Sequence, residues 1–290
     1  MRLALFSLVY GEKFVDRFTR GLVKSLCWPR NREALQGQWW HIYTGPDEIV
    51  RVAAAAETVG IPFIFHEIPA GETPGDILMA AMRDHARRCV DADDALLAVQ
   101  PDHLFGEGSI AAMKVIAAEN RRLCVAMAHP RVLADDFLDA LPDGPMQNAE
   151  MVSLAMRHLH PSFAKSDMAL DEINTWLGGV SWRELGPSLW GVTVNSPTVF
   201  LAQLVGDDLG HFGEAGSWDH TWPATLMDEQ RQRLIGSSDA AFTVELTDRH
   251  THIPKLRRKP PGAPYTYRYD LEHNRVNRNT MTIWRGLTRA

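Results

Sequence analysis

The sequence predicts an open α/β fold with a mostly parallel, doubly wound sheet and helices on both faces. Three observations predict it. Over about 130 residues, short apolar runs alternate with segments whose apolar residues recur at helical spacing. Each apolar run is short enough for a buried strand, and turn-forming or polar residues follow it. Strands that alternate with helices pair in parallel through right-handed crossovers, so the sheet should be parallel.

Five predicted strands and the helices that follow them occupy the first part of the chain. The strands are residues 2–9, 38–43, 61–68, 95–99 and 122–128. The intervening helices are residues 13–26, 47–59, 76–90 and 110–118. Their strand segments are rich in β-branched, aromatic and aliphatic residues, which favour a pleated, buried surface.

The alternation stops after about residue 135. We predict a helix over residues 146–160, a strand followed by a helix within 192–205, and a strand over 240–246. Residues 254–290 begin with a basic, proline-rich segment, which is typical of a surface-hugging or mobile arm. The chain therefore divides into an α/β half (1–135), a mixed region of the same domain (136–253) and a C-terminal arm (254–290).

Composition places the chain among ordinary globular proteins. It has 290 residues, 45% of them hydrophobic and 23% charged, with a formal net charge of -6. That charge argues against a general nucleic-acid binder, which would carry a basic face. Cys27, Cys89 and Cys124 show no metal-ligand spacing, and such a sparse, odd set indicates a reducing compartment. With no signal peptide and no transmembrane segment expected, we predict a cytoplasmic protein.

The most informative stretch is residues 94–109. An apolar run ends at Gln100-Pro101-Asp102, a glycine turn follows, and Ser109 precedes a helical segment. Ligands of open α/β sheets bind beyond the carboxyl ends of the strands, where Asp102 and Glu107 should lie. The alternative is that Asp102 only caps the turn.

The ends of the first and fourth strands, Ser7 to Gly11 and Gln100-Pro101-Asp102, resemble those of GT-A type glycosyltransferases that use nucleotide-diphosphate sugars. The resemblance covers residues 1–130 well and 175–250 loosely. It implies a Rossmann-like half that binds the nucleotide, and an acidic Asp-x-Asp motif that holds a divalent metal. Here Gln100 stands at the first acidic position of that motif, and Asp102 matches the second.

The resemblance also implies roles for individual residues. Asp102 would hold Mg²⁺ or Mn²⁺ against the diphosphate, with Glu107 or a distant histidine completing the ligand set. Tyr10 and Gly11 would meet the base and ribose, or form a plain strand-to-helix turn. Glu67 would face the nucleotide, or simply end its strand. The donor site is completed by Ser7 and Gln100.

Two further segments carry candidate residues. Arg131 follows the fifth strand and could bind a phosphate through two N–H groups, although the loop could also be merely polar. Residues 213–222 combine acids, a histidine and aromatics in a glycine-rich loop. In this loop we predict a catalytic base, a further metal ligand and a sugar-stacking surface, unless it is a structural loop anchored by its tryptophans. The residues are Asp219 and then Glu214 as base, His220 as metal ligand, and Trp218 and Trp222 as acceptor contacts.

The expected function is transfer of a sugar from a nucleotide-sugar donor to a small-molecule, glycan or lipid-linked acceptor. The alternatives are a nucleotidyltransferase and a non-catalytic binding module of the same fold. The sequence lacks GxGxxG after the first strand, a P-loop and a GxSxG elbow. Their absence disfavours dinucleotide oxidoreductases, P-loop nucleotide hydrolases and α/β-hydrolases.

Overall fold

The computed structural model describes most of the chain. It covers residues 1–71, 73–119, 123–164, 172–174, 180–194, 198–213, 231–251, 256–258 and 281–287. The strands in these ranges are β1 (Leu3–Val9), β2 (Trp39–Thr44), β3 (Phe63–His66), β4 (Ala95–Ala98), β5 (His103–Phe105), β6 (Cys124–Met127), β7 (Arg131–Leu133), β8 (Glu172–Asn174), β9 (Val180–Gly186), β10 (Leu189–Val194), β11 (Thr198–Ala202), β12 (Gln232–Leu234), β13 (Thr243–Thr247), β14 (Leu256–Arg258) and β15 (Met281–Arg285).

The α-helices of the same residues complete the inventory. They are α1 (Glu12–Arg17), α2 (Val23–Leu26), α3 (Pro29–Ala34), α4 (Ile49–Glu57), α5 (Pro74–Ala92), α6 (Ser109–Ala118), α7 (Ala134–Asp139), α8 (Asn148–Arg157) and α9 (Pro161–Ala164). A π-helical turn, Phe18–Leu22, joins α1 to α2, so the predicted helix over 13–26 is confirmed. A 3-10 helix spans Gly206–Gly213. Among the described helices, none has both the length and the apolar character that a bilayer crossing requires.

A seven-stranded sheet forms the centre of the fold, in the order β12-β6-β11-β4-β1-β2-β3. Strands β1 to β4, β6 and β12 run parallel, whereas β11 runs antiparallel between β4 and β6. The buried apolar run of β4 matches its central position, since both of its faces are covered. The predicted fold class, a mostly parallel α/β sheet, is confirmed.

Helices cover both faces of this sheet, and the pleat of β1 divides its side chains between them. Leu3 and Leu5 belong to a core shared with α1, α4 and α6, whereas Ala4 and Phe6 belong to a core under α5 and the 3-10 helix. Every residue of β1 is buried as a result.

A smaller sheet, in the order β5-β13-β7, follows the carboxyl ends of β4 and β6 along the chain. It packs Leu104, Val132 and Val244 into a third core with α7 and α8. Strand β15 pairs with β10 and buries Trp284 in this core. The segment 254–290 was predicted to be an arm, but its last described residues, 281–287, are built into the fold.

One local prediction was wrong: the helix expected at the end of 192–205 is replaced by β11, which lies between β4 and β6 in the sheet. Hydrogen bonding to β4 and β6 decides this segment, since Val199 to Ala202 are buried and apolar and could serve in either kind of element.

Candidate functional site

The strand order of the main sheet predicts a ligand crevice at its carboxyl edge, between β1 and β4. From β1 the chain proceeds to β2 and β3 on one side, and from β4 it proceeds to β6 on the other. Where neighbouring strands send their connections in opposite directions, the loops diverge and leave room for a ligand. Tyr10 and Gly11 leave β1 at this point, and Gln100 to Asp102 leave β4.

The loop after β1 combines an aromatic ring with a turn that requires glycine. Tyr10 is half-buried against Phe14, with ring centroids 6.1 Å apart, and burial raises the pKa of its hydroxyl. Gly11 has φ of +75°, a conformation that side chains resist, and its N–H donates to Glu48 Oε1 at 3.0 Å. The geometry leaves the ring half exposed beside a backbone that a ligand can approach.

Ser7 and Gln100 connect the strands that flank the crevice. The buried Ser7 hydroxyl donates to the Val99 carbonyl and accepts from Trp40 Nε1 at 3.0 Å. Gln100 is also buried, and its Oε1 accepts from Leu8 N–H at 3.3 Å. These contacts hold both side chains inside the sheet. Within the part of the chain that the structure describes, the buried Gln100 Nε2 has no hydrogen-bond partner.

Asp102 lies between β4 and β5, at the rim of the crevice. Its carbonyl accepts from Leu246 N–H at 2.7 Å, which fixes the loop against β13. The carboxylate is 27% exposed, and Oδ1 lies 3.2 Å from His103 Nδ1. Asp102 therefore presents a partly solvated carboxylate at this loop.

The Glu107 carboxylate binds the start of a helix. It is buried, and its Oε1 accepts from Arg30 N–H, in the first turn of α3, at 2.8 Å. A carboxylate at a helix start satisfies N–H groups that have no intrahelical partner. One oxygen of the Glu107 carboxylate is therefore engaged at this helix start, and the expectation that Glu107 completes a metal shell with Asp102 stays a prediction.

The small sheet places three polar side chains in one row. Glu245 in β13 is the direct cross-strand partner of His103 in β5 and of Arg131 in β7. Because side chains alternate along a strand, Glu245 lies on the opposite face from Val244 and Leu246, which enter the third core. His103, Glu245 and Arg131 therefore lie on the other face of the small sheet.

Glu245 is the anion at the centre of this row. Arg131 Nε donates to its Oε2 at 3.0 Å, and His129 Nε2 lies 3.2 Å from the same oxygen. Burial acts to raise the pKa of Glu245, but Arg131, together with His129 and His103, outweighs burial and holds the pKa well below its usual range. Glu245 is therefore ionised at neutral pH, and the Arg131 Nε–H predicted to meet a phosphate already has an anionic partner.

A second set of charges lies where α1 meets the end of β13. Asp248 accepts from Lys13 Nζ at 2.8 Å and from the buried Arg17 guanidinium. Burial opposes ionisation of Asp248, but the hydrogen bond from Lys13 and the charge of Arg17 lower its pKa. Lys13 follows Gly11 by two residues, so a cation stands next to the loop that leaves β1.

Strand β3 ends in a histidine cluster under α5. His66 stacks on Tyr43 with centroids 4.7 Å apart, and His66 Nε2 lies 2.9 Å from His41 Nδ1. Burial, reinforced by the neighbouring His66, lowers the pKa of His41 to about 4. Burial lowers the pKa of the fully buried His85 to about 3, and its Nε2 lies 3.1 Å from the Ala4 carbonyl oxygen. Next to this cluster, Glu67 is exposed.

The remaining predicted residues lie outside the described residues. They are Glu214, Trp218, Asp219, His220 and Trp222. Their assignments as base, metal ligand and acceptor contacts stay predictions.

Sequence reasoning missed two members of the site, His103 and Glu245. A signal for Glu245 was present, because a lone acid interrupts the apolar strand Phe242 to Leu246. His103 directly follows Asp102 and was not given a role of its own.

Comparison with known proteins adds little to this picture. No protein-family model matches the chain, and no curated protein matches it. S. aureus TarS 1-349 in complex with UDP-GlcNAc matches with a TM-score of 0.33 and 12% identity, over 46% of this chain and 35% of that chain. The same TarS fragment in complex with UDP gives a TM-score of 0.33 and 11% identity, over 46% and 36%. The match thus spans about a third of those TarS chains, and a likeness of this extent assigns neither activity nor substrate.

Proposed function

We propose that the chain is a glycosyltransferase that takes a sugar from a nucleotide-diphosphate donor bound in the crevice between β1 and β4. One observation carries the proposal: Asp102 leaves β4 at the rim of this crevice with a partly solvated carboxylate. The resemblance of the flanking loops to GT-A type transferases makes a nucleotide-sugar the expected ligand.

The residues around the crevice suit the parts of such a donor. The half-exposed Tyr10 ring offers a stacking face for a base, and Gly11 allows the backbone to approach a ribose. Lys13 lies two residues further along, where its ammonium can exchange the exposed Asp248 carboxylate for a phosphate. The pair is solvated, so this exchange costs little.

A divalent cation fits the carboxylate of Asp102. Mg²⁺ needs only one or two protein carboxylates when phosphate oxygens and water complete its shell, and Asp102 supplies one accessible carboxylate. When bound, the cation would offset the negative charge that develops on the departing nucleotide diphosphate. Asp102 would hold it, while Lys13 would add a second positive charge from the other side of the crevice. Under this proposal Asp219, with Glu214 second, remains the candidate base that accepts the acceptor's proton.

A thermal-shift comparison tests the proposal. We expect one of UDP, GDP or CDP, or its sugar, to raise the Tm in the presence of Mg²⁺ or Mn²⁺. Saturation at a hundredfold excess over Kd adds about 2.7 kcal/mol, which corresponds to roughly 5 °C for a chain of this size. Asp102→Asn should abolish the metal-dependent part of the shift and the transfer of labelled sugar. Asp143→Asn, an exposed acid in a distant turn, is the matched control and should retain both.

The outcomes separate the parts of the proposal. If no nucleotide and no nucleotide-sugar raises the Tm, the donor site is rejected. An Asp102→Asn protein with wild-type metal dependence and turnover would reject the role of Asp102.

A non-catalytic nucleotide-binding module is the second candidate. Gln100 favours it, because its amide oxygen serves Leu8 N–H and brings no charge to the site. Metal-independent nucleotide binding without any sugar transfer or donor hydrolysis would support this candidate over the transferase.

A further inference from the structure

Within the described part of the chain, one group of three potential metal ligands converges: His103, His129 and Glu245. One ligand atom from each lies within 4.8 Å of the other two. The residues come from β5, from the segment between β6 and β7, and from β13. Three separately positioned segments therefore bring their ligand atoms to one point.

The distances suit a small dication after a modest contraction. With bonds of about 2.0–2.1 Å, the ligand atoms of a tetrahedral site stand roughly 3.4 Å apart. His129 Nε2 and Glu245 Oε2 are already 3.2 Å apart, and the longest separation in the group does not exceed 4.8 Å. Rotation of the imidazole rings can supply the remaining movement, because no two ligand atoms need to approach each other by more than about 1.4 Å.

The charges around the group favour a cation. Asp102 and Glu245 are negative and Arg131 is positive, so the immediate surroundings carry one net negative charge when the imidazoles are neutral. Asp102 Oδ1 stands 3.2 Å from His103 Nδ1, the arrangement in which a carboxylate orients a ligating imidazole and raises its basicity.

An aromatic ring forms one wall of the site. The Phe200 ring packs edge-on against His103 and His129, with centroids 5.2 and 5.8 Å away. Among the described residues, none gives the buried His129 Nδ1 a hydrogen bond. An apolar wall lowers the local dielectric constant and strengthens the attraction between a carboxylate and a dication.

We propose that His103, His129 and Glu245 bind one divalent transition-metal ion, with Zn²⁺ as the preferred occupant. Two nitrogens and one carboxylate oxygen suit zinc and its first-row neighbours, whereas Mg²⁺ prefers an all-oxygen shell. This site is separate from the cation proposed at Asp102, whose carboxylate here only orients His103. The metal links β5 and β13 of the small sheet to the segment that leaves β6.

Co²⁺ is the probe, because its visible absorption reports the coordination number of the bound ion. The full chain, freed of metal by chelation and dialysis, is titrated with Co²⁺ and then with Zn²⁺. We expect one Co²⁺ per chain, a visible band typical of four- or five-coordinate cobalt, and displacement of the band by one equivalent of Zn²⁺. Millimolar Mg²⁺ should leave the band unchanged.

Variants locate the binding site. His129→Gln and His103→Gln should each weaken Co²⁺ binding by at least 100-fold, with circular dichroism checking that they fold. His250→Gln changes an exposed histidine away from the cluster and should bind like the wild type.

Three results would overturn the proposal. The first is the absence of a saturable band in the folded wild-type chain at 100-fold excess Co²⁺. The second is a band lost in His250→Gln but kept in His129→Gln, which would place the metal elsewhere. The third is displacement of the band by Mg²⁺. The wild-type titration decides the question even if both cluster variants fail to fold, and none of these readings requires nucleotide binding or sugar transfer.

Discussion

His85 should make the protein sensitive to mild acid. It lies fully buried between α5 and the main sheet, its Nε2 is 3.1 Å from the Ala4 carbonyl oxygen, and its pKa is lowered to about 3. The histidine pKa in an unfolded chain is about 6.5. Because the folded pKa is the lower one, the stability that neutral His85 provides is complete above pH 6.5. It is lost as the pH falls towards 3.

The size of the loss follows from these two values. Between pH 6.5 and 4.5 the unfolded chain binds a proton at His85 and the folded chain does not. The free energy of unfolding therefore falls by about 1.4 kcal/mol per pH unit. Allowing for the small loss already present at pH 7, the free energy of unfolding should fall by about 2.5 kcal/mol from pH 7 to pH 4.5 through this residue alone. His41, with its pKa at about 4, adds a smaller contribution of the same sign because it is only partly buried.

Urea unfolding of the wild type and His85→Gln at pH 7 and pH 4.5 measures this contribution. A glutamine amide can still donate to the Ala4 carbonyl but does not titrate. We expect the variant to lose about 2.5 kcal/mol less than the wild type between the two pH values, whatever its stability at pH 7. Asp84, whose pKa is lowered, responds to acid in both proteins and cancels in this difference. His250→Gln should keep the wild-type pH dependence, and an equal loss in the wild type and His85→Gln would refute the reasoning.

Two further substitutions test contacts in the sheets. Ser7→Ala leaves buried Trp40 Nε1 without its acceptor, so the free energy of unfolding should fall by about 1–3 kcal/mol in urea titrations. Nucleotide affinity should stay unchanged, and a specific loss of affinity would instead place Ser7 in the donor site. Arg131→Met removes the cation from the largely buried carboxylate of Glu245, which is 16% exposed, and should cost about 3–5 kcal/mol at pH 7. Because the pKa of Glu245 is held well below normal, that cost should shrink as the pH falls through the normal carboxyl range. A cost independent of pH would contradict the assigned pairing.

The α/β half was predictable because its local signals agree with its final structure. Leu3 to Val9, apolar except for Ser7, and the apolar run Ala95 to Ala98 become fully buried strands. The helical spacing of Val15, Phe18 and Leu22 matches a helix that packs on the same core. Sequence pattern and tertiary burial point the same way in these segments.

The insertion of β11 was not predictable from local pattern. Its five residues carry an apolar run that suits a strand or a helix, and its neighbours β4 and β6 lie more than seventy residues away in the sequence. Non-local hydrogen bonding decides such a segment, and no local periodicity encodes the partner.

The candidate site was predictable at Asp102, whose position beyond an apolar strand placed it at the carboxyl edge. The row of His103, Glu245 and Arg131 was not, because cross-strand register in the small sheet creates it. Residue types alone could not show that an acid in β13 would stand between a histidine in β5 and an arginine in β7.

The position of β11 also governs how the chain must assemble during synthesis. Until residue 202 has left the ribosome, the hydrogen-bonding edges of β4 and β6 that face β11 have no partner. Unpaired edges of buried apolar strands are templates for aggregation, so nascent chains shorter than this depend on rapid completion or on chaperones. A fragment that stops after the fifth predicted strand would expose the same edges permanently. The unit of independent folding therefore extends past residue 202, beyond the α/β half that the sequence pattern marks out.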